Sequence, residues 1–462
     1  MTAVLTLLGI IAYLYLYSAL LPKTFLAIAP GRHQISGLYF LFLNGLFVLP
    51  ALMIVAIVGP ENIRILHYVS RDSVLDINLI VIYSLISFVV CLFWISTVMG
   101  RRLMYDMRLV YNDIGRAGAK SRTINFTRLA MISIPVSILV NVFIFGGQHA
   151  LFSAAFYDLN PGAIRHANES SAFSAYVKHY FLIISLIMAP ILALPIYDRR
   201  KKERLFAFLL IFIALTSHGS KSPFIFFLVT YVFAKFEKTV INSGAKHGYR
   251  LLGPKKIAMI AFGLMSVFLL FYFVVTKLFL TAGNPFWDYF WNRAFVGQMA
   301  GIYEQFNLFL YDTAFSWHGV PFASLFIDYP NFHKELMLVS ENRIDPNRIG
   351  IKVTFFAAEA YAMFKWLGVI FAPMMMAIQF VISFLVLKKF LNFFVFRSDE
   401  LAKYVTSFFF VSYFSFTDGI SEMMLFKGLV FIFVLLTPIM ISVVLLGTLL
   451  PRRAEVNQKG YI

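Results

Sequence analysis

Apolar runs close to the ~20 residues that a bilayer-crossing helix needs recur along the whole chain, divided by short polar stretches. They predict helices over approximately 3–21, 36–58, 79–99, 129–146, 181–197, 205–217, 223–236, 257–276, 366–387, 404–417 and 429–450. The expected fold is therefore an all-α polytopic membrane protein with about eleven transmembrane helices. The runs extend from end to end, so the membrane part is the protein and not an anchor, and one integral membrane domain over 1–462 is expected. The first run, Ala3 to Leu21, has neither a basic leading region nor a small-residue cleavage pattern. It reads as a first transmembrane helix and not as a cleavable signal.

The stretches between the runs alternate in character. Loop 100–128 holds seven Lys/Arg and two acids, 198–204 five and two, 235–256 six and one, and 388–403 four and two. With 22–35 and the tail after Pro451, these basic stretches carry 27 of the 40 Lys/Arg against eight acids, and the positive-inside rule makes them cytoplasmic. The N-terminus is then periplasmic and the C-terminus cytoplasmic. The remaining 13 basic and 15 acidic residues nearly cancel, so the whole net charge of +17 is a topology signal and not a nucleic-acid footprint. Only 14% of residues are charged and 60% are hydrophobic, where a soluble chain has roughly 25% charged, which excludes a soluble enzyme. The single cysteine, Cys91, lies inside an apolar run, so no disulfide framework exists.

Two outward loops are long, 147–180 and 277–365, the second falling between the eighth and ninth helices. The second is dense in aromatics, from Phe286-Trp287-Asp288-Tyr289-Phe290-Trp291 through Trp317 and Tyr329. Such residues suit the headgroup belt, and they also stack on sugar rings. The most informative segment is 205–236, two apolar runs of about 13 residues around Ser217-His218-Gly219-Ser220-Lys221-Ser222-Pro223. Thirteen helical residues span roughly 20 Å, short of the ~30 Å hydrocarbon core. A hairpin whose tip lies below the outer surface is expected; one long helix would invert the downstream topology and put the 235–256 cluster outside. A lysine at that depth is costly unless it meets an anion or water, which makes Lys221 a candidate for phosphate binding, with snorkelling as the simple alternative. Gly219 and Ser220 allow exposed amides, and Pro223 can start a returning helix.

Further along, Asn292-Arg293-Ala294-Phe295-Val296-Gly297-Gln298 leads into Gly301-Ile302-Tyr303-Glu304-Gln305-Phe306. Arg293, Gln298 and Gly301 make a polar line on a buried or interfacial helix, and an arginine can grip a diphosphate bidentately; a structural pairing of Arg293 with Glu304 is the alternative. In Gly350 to Gly368, Glu359 stands alone in an apolar stretch. Either it is buried and needs a partner, or it lies in an outward cavity where a carboxylate can accept a proton from a sugar hydroxyl, or it is a helix N-terminal acid facing water. Arg165, His149, His166, Arg343 and Arg348 are other outward cations. No Walker A, HExxH or Cys/His metal spacing occurs, and the helices lack the series of buried acids common in proton-coupled transporters. Asp72 and Asp76 read as solvated.

Taken together, Gly219-Ser220-Lys221-Ser222-Pro223, the stretch Arg293 to Gln298, and Glu359-Ala360-Tyr361-Ala362-Met363-Phe364-Lys365-Trp366-Leu367-Gly368 resemble the O-antigen polymerase (Wzy) family in order and spacing across most of the chain. The resemblance implies a bacterial inner-membrane enzyme of GT-C-like helical fold. Such an enzyme joins undecaprenyl-diphosphate-linked oligosaccharide repeat units at the periplasmic face without metal or cofactor, usually beside a chain-length regulator. Lys221 matches the basic residue of the family's Gly-Ser-Arg/Lys element, and Arg293 the basic residue opening its large outward loop. Glu359 and Tyr361 fall in the segment before the late glycine-containing helix. There this chain has Phe364-Lys365-Trp366 where a Phe-Gly pair is usual. In the related O-antigen ligases a histidine occupies this segment, and none is present here, which favours a polymerase.

The expected chemistry is glycosyl transfer. Lys221 and Arg293 bind the leaving diphosphate, where fixed cations stabilise developing charge. Arg165 adds a phosphate contact, Glu359 is the general base, and His218, Ser220, Gln298, Glu304 and Tyr361 line the substrate. Two rivals stay open: a lipid-linked oligosaccharide flippase, which predicts internal repeats that are not found, and an O-antigen ligase or other envelope transferase.

Overall fold

The computed structural model describes residues 1–20, 23–24, 44–66, 69–99, 209–215, 295–308, 332–340 and 353–393, with single positions at 139, 224, 227–228, 266, 269, 409, 413, 416, 419–420, 432–433, 436–437 and 441. Six helices are followed here: α1 (Thr2–Leu20), α2 (Leu49–Val58), α3 (Val74–Val98), α4 (Gly297–Leu308), α5 (Phe332–Ser340) and α6 (Phe356–Phe393). No strand occurs among the described residues. Three helices are long and apolar enough to cross a membrane: α1, α3 with the turn from Arg71 that leads into it, and α6 as far as Leu387.

These three explain themselves from their side chains. In α6, Ala372, Met376, Ala377, Phe380, Val381, Phe384 and Leu387 are buried at helical spacing. On the opposite face Ile370, Phe371, Met374, Met375, Ile378 and Ile382 are large, apolar and exposed. A helix apolar on its packed face and on its open face would be unstable in water and suits hydrocarbon. In α1, Thr6, Ile10, Tyr13 and Tyr17 turn inward while Val4, Leu7, Leu8 and Ile11 stay exposed.

The central helix is α3, with α1 and α6 packed against it. Hydrocarbon is as apolar as leucine, so van der Waals packing and interhelical hydrogen bonds must hold such helices together. The first comes from stacked aromatics: Phe380 lies against Phe409 and Tyr413, and Phe88 meets Phe416 edge-on at 4.8 Å. The second comes from a few polar side chains. Tyr83 of α3 donates to the Ile370 carbonyl of α6 at 3.1 Å, and Tyr413 donates to the Met376 carbonyl at 2.9 Å. Ser84 and Ser96 donate their hydroxyls to the carbonyls four residues back in α3.

Asn78, fully buried in α3, is the principal polar tie. Its Nδ2 donates to Thr6 Oγ1 of α1 at 3.0 Å and to the Leu52 carbonyl of α2 at 3.3 Å, while its Oδ1 accepts the Tyr303 hydroxyl of α4 at 2.5 Å. One amide side chain thereby links four helices. A second tie lies nearby: Asn307 of α4 accepts from the Ser70 amide and donates to Ser73 Oγ, at the turn that starts α3. α4 is thus moored to the membrane helices at two points four residues apart.

In 205–236, residues 209–215 are helical, and Phe212 and Phe224 meet edge-on at 5.0 Å. Twelve residues of one continuous helix would separate them by about 18 Å. They do not belong to one continuous helix, which favours the hairpin over the single long helix.

Candidate functional site

The stretch expected as an outward loop, 277–365, contains α4, α5 and the first arm of α6. α4 packs against both of the others. From Met299 to Phe306 every residue of α4 is buried. A helix buried all round must be narrow where it meets neighbours, and Gly301 supplies the narrow point. Its amide donates to the Val353 carbonyl at 3.1 Å, and a Cβ there would collide with Thr354. α4 therefore docks directly on the extended strip 353–355 that leads into α6.

α6 is two helices joined at a break. Phe364 (φ −132°, ψ 17°) and Lys365 (φ 55°, ψ −143°) leave helical geometry. Residues 356–363 form a short arm that is buried on every side, and its four alanines let neighbours approach closely. In a straight helix Gly368 would lie about 12 Å along the axis from Ala360. Here a Cβ on Gly368 would overlap the Ala360 carbonyl, so the second arm folds back against the first.

Glu359 sits in the first turn of the short arm with 2% of its surface exposed. Of the three readings open from sequence, the water-facing acid is excluded. Its surroundings come from distant parts of the chain: a Cβ on Gly419 would run into both Glu359 Oε2 and His333 Nε2. A carboxylate and an imidazole thus converge on one glycine, and both are buried. Among the described residues no third His, Cys, Asp or Glu joins them to make a metal-ligand group.

Beside this pair stands an aromatic cluster. Phe306 of α4 lies 4.7 Å from Tyr361 and 5.9 Å from Trp366, and Tyr361 meets Trp366 edge-on at 5.5 Å. Lys365 Nζ lies 5.6 Å from the centre of the Tyr361 ring. Tyr361 is buried, whereas Trp366 is 54% exposed.

Of the residues singled out from sequence, Glu359, Tyr361, Glu304 and Gln298 are among the described residues, the first two on the short arm of α6 and the other two on α4. Glu304 is buried in α4 with 2% exposure, next to the fully buried Gln305, and Gln298 is half-buried six residues earlier. Lys221, Arg293, Arg165, His218 and Ser220 lie outside the described residues, as do His149, His166, Arg343 and Arg348. Asp72 and Asp76 are exposed. The departure from the usual Phe-Gly pair falls on the break itself: Lys365 is the one non-glycine residue of positive φ among those described. Sequence reasoning missed His333 and Gly419. His333 carries no motif in Asn331-Phe332-His333-Lys334, and a lone glycine in Thr417-Asp418-Gly419-Ile420-Ser421 gives only a general hint of a turn or close approach.

Burial pushes the Glu335 carboxyl of α5 above its ordinary 4.5. A raised carboxyl pKa means the folded state holds the proton longer, so its contribution is complete at low pH and is lost as pH rises through the folded value. Glu335→Gln should therefore flatten the pH dependence of thermal unfolding above about pH 4.5. The gain at neutral pH should stay below about 1 kcal/mol, because water still screens the group.

Comparison with protein-family models, with curated proteins and with solved structures found no match to the chain.

Proposed function

We propose that this chain polymerises undecaprenyl-diphosphate-linked oligosaccharide repeat units into O-antigen or a related surface polysaccharide at the periplasmic face of a bacterial inner membrane. The reading includes the eleven-helix, GT-C-like architecture, with N-terminus outside and C-terminus inside. The observation that carries it is the burial of Glu359 and His333 around Gly419, at the broken end of a membrane-length helix and near an aromatic cluster whose Trp366 is exposed. Glu359 takes the proton of the acceptor sugar hydroxyl as that oxygen attacks the anomeric carbon. The bond to the lipid diphosphate breaks, and Lys221 and Arg293, with Arg165, hold the charge that leaves with it. His218, Ser220, Gln298, Glu304 and Tyr361 contact the saccharide or its phosphates.

One observation favours a second reading. A histidine distinguishes the ligases in this segment of sequence, and here His333, from elsewhere in the chain, reaches the same glycine, Gly419, that Glu359 meets. A ligase-like transferase would use the same outward pair on a different acceptor.

A gel of surface polysaccharide tests both. Cells lacking the gene are complemented with wild type, Lys221→Ala, Arg293→Ala or Glu359→Gln. For a polymerase, the ladder collapses to a single repeat unit on the lipid core, and each variant fails to restore it by ~10²-fold or more. Loss of the single unit as well would show a ligase or flippase, and an unchanged ladder would sink the reading.

A further inference from the structure

Gly419 is the meeting point of two side chains from separate helices. Glu359 Oε2 and His333 Nε2 both lie within 2.5 Å of the place where a Cβ on this glycine would stand. The two atoms are therefore no more than about 5 Å apart, close enough for one water to bridge them and for a small rotation to join them directly. Each is held there by apolar packing. His333 is the second residue of α5, is 7% exposed, and has the Phe332 ring tilted against its own at 5.4 Å. Glu359 stands on the short arm of α6, where Ala357, Ala358, Ala360 and Ala362 are fully buried. Three residues before Gly419, Phe416 meets Phe356 of that same arm edge-on at 5.5 Å and Phe88 of α3 at 4.8 Å, and Ile420 on the other side is buried. The glycine is thus pinned to the short arm by rings that involve neither polar group.

A general base works only from a narrow range of positions, so the groups that fix its carboxylate matter as much as the carboxylate itself. We propose that His333 is a positioning residue for Glu359: from α5 its Nε2 edge holds Oε2 in place, directly or through one bridging water, and so sets the carboxylate toward the acceptor hydroxyl. His333 touches no sugar in this role and acts through Glu359 alone. The inference rests on the reading of Glu359 as the base of the polymerase, and it gives α5 a part in that site.

The full-length protein in nanodiscs is supplied with undecaprenyl-diphosphate-linked repeat units extracted from cells lacking the gene, and polymer formation is followed well below the unfolding midpoint of each variant. His333→Leu, which fills the space but offers no nitrogen, should lower kcat by about a hundredfold, as displacement of a reacting group by 1 Å does, with KM within about threefold of wild type. His333→Gln, which restores a polar nitrogen near the same place, should recover at least about tenfold of that loss. Infrared spectra give a readout that does not depend on polymer: the carboxyl band that Glu359→Gln removes should shift in His333→Leu and return toward its wild-type position in His333→Gln. The inference is overturned if His333→Leu keeps kcat within about twofold of wild type, or if His333→Gln is no better than His333→Leu. It is also overturned if KM alone rises, since the imidazole would then touch the substrate, or if the carboxyl band does not move. Full activity in Glu359→Gln would remove the reading of Glu359 as base, whereas loss of activity there with none in His333→Leu would remove this inference and leave that reading standing.

Discussion

Gly419→Ala is expected to lower polymer formation by at least about a hundredfold, the loss that a 1 Å displacement of a reacting group can bring. Gly419 has no positive φ, so its backbone accepts alanine; what the position lacks is room. The added methyl would occupy space held by Glu359 Oε2 and His333 Nε2, both of them buried, so these side chains cannot both keep their places. One of the two must swing away and separate the pair. Overpacking of this kind also costs about 1–3 kcal/mol of stability, which unfolding measurements in detergent would register alongside the polysaccharide gel. Gly45→Ala is the control, since nothing lies within 4 Å of the Cβ it would add. If Gly419→Ala supported a full ladder, the glycine, the carboxylate and the imidazole would not be acting as one site.

Asn78→Leu should be the most destabilising single change in the described helices, at about 3 kcal/mol. Three hydrogen bonds are lost at once, and the Tyr303 hydroxyl and the Leu52 carbonyl are left buried beside an apolar side chain. Each bond within a membrane protein is worth ~0.6 kcal/mol on average, and stranded polar groups supply the rest. Burial also pushes the Tyr303 phenol well above its ordinary value, so it remains a donor at every accessible pH. Tyr303→Phe should cost only about 1 kcal/mol, because Asn78 keeps its other two partners. The double variant should cost less than the two together, since both remove the same bond. Additive losses in a detergent unfolding series would rule out that shared tie. Activity should fall with stability, because the tie fixes α4, and α4 sets Phe306 against Tyr361 and Trp366.

Sequence reading and fold agree where the signal is local. The apolar runs at 3–21 and 79–99 correspond to α1 and α3, since a stretch long and greasy enough to cross hydrocarbon has no other way to satisfy its backbone than a helix. They diverge where burial depends on partners. The loop expected over 277–365 contains α4 and α5, which are too short and too polar to register as membrane spans; α4 is nonetheless buried by packing on α5 and on the segment that opens α6. The span expected over 366–387 lies in α6, but that helix starts ten residues earlier and breaks at Phe364 and Lys365.

The site divides in the same way. Glu359 was legible because a lone carboxylate in an apolar stretch is costly and therefore conspicuous. His333 and Gly419 were not, because a histidine in a polar loop and a glycine near a helix end are ordinary by themselves. The sequence by itself determined an all-helical protein with membrane-length helices and an isolated acid beside one of them, since hydropathy and backbone hydrogen bonding are properties of contiguous residues. Only the tertiary structure decided that this acid meets His333 across Gly419, that Asn78 ties four helices together, and that a lysine bears the strain at the break, because each depends on contacts between residues far apart in the chain or on a backbone conformation that packing imposes.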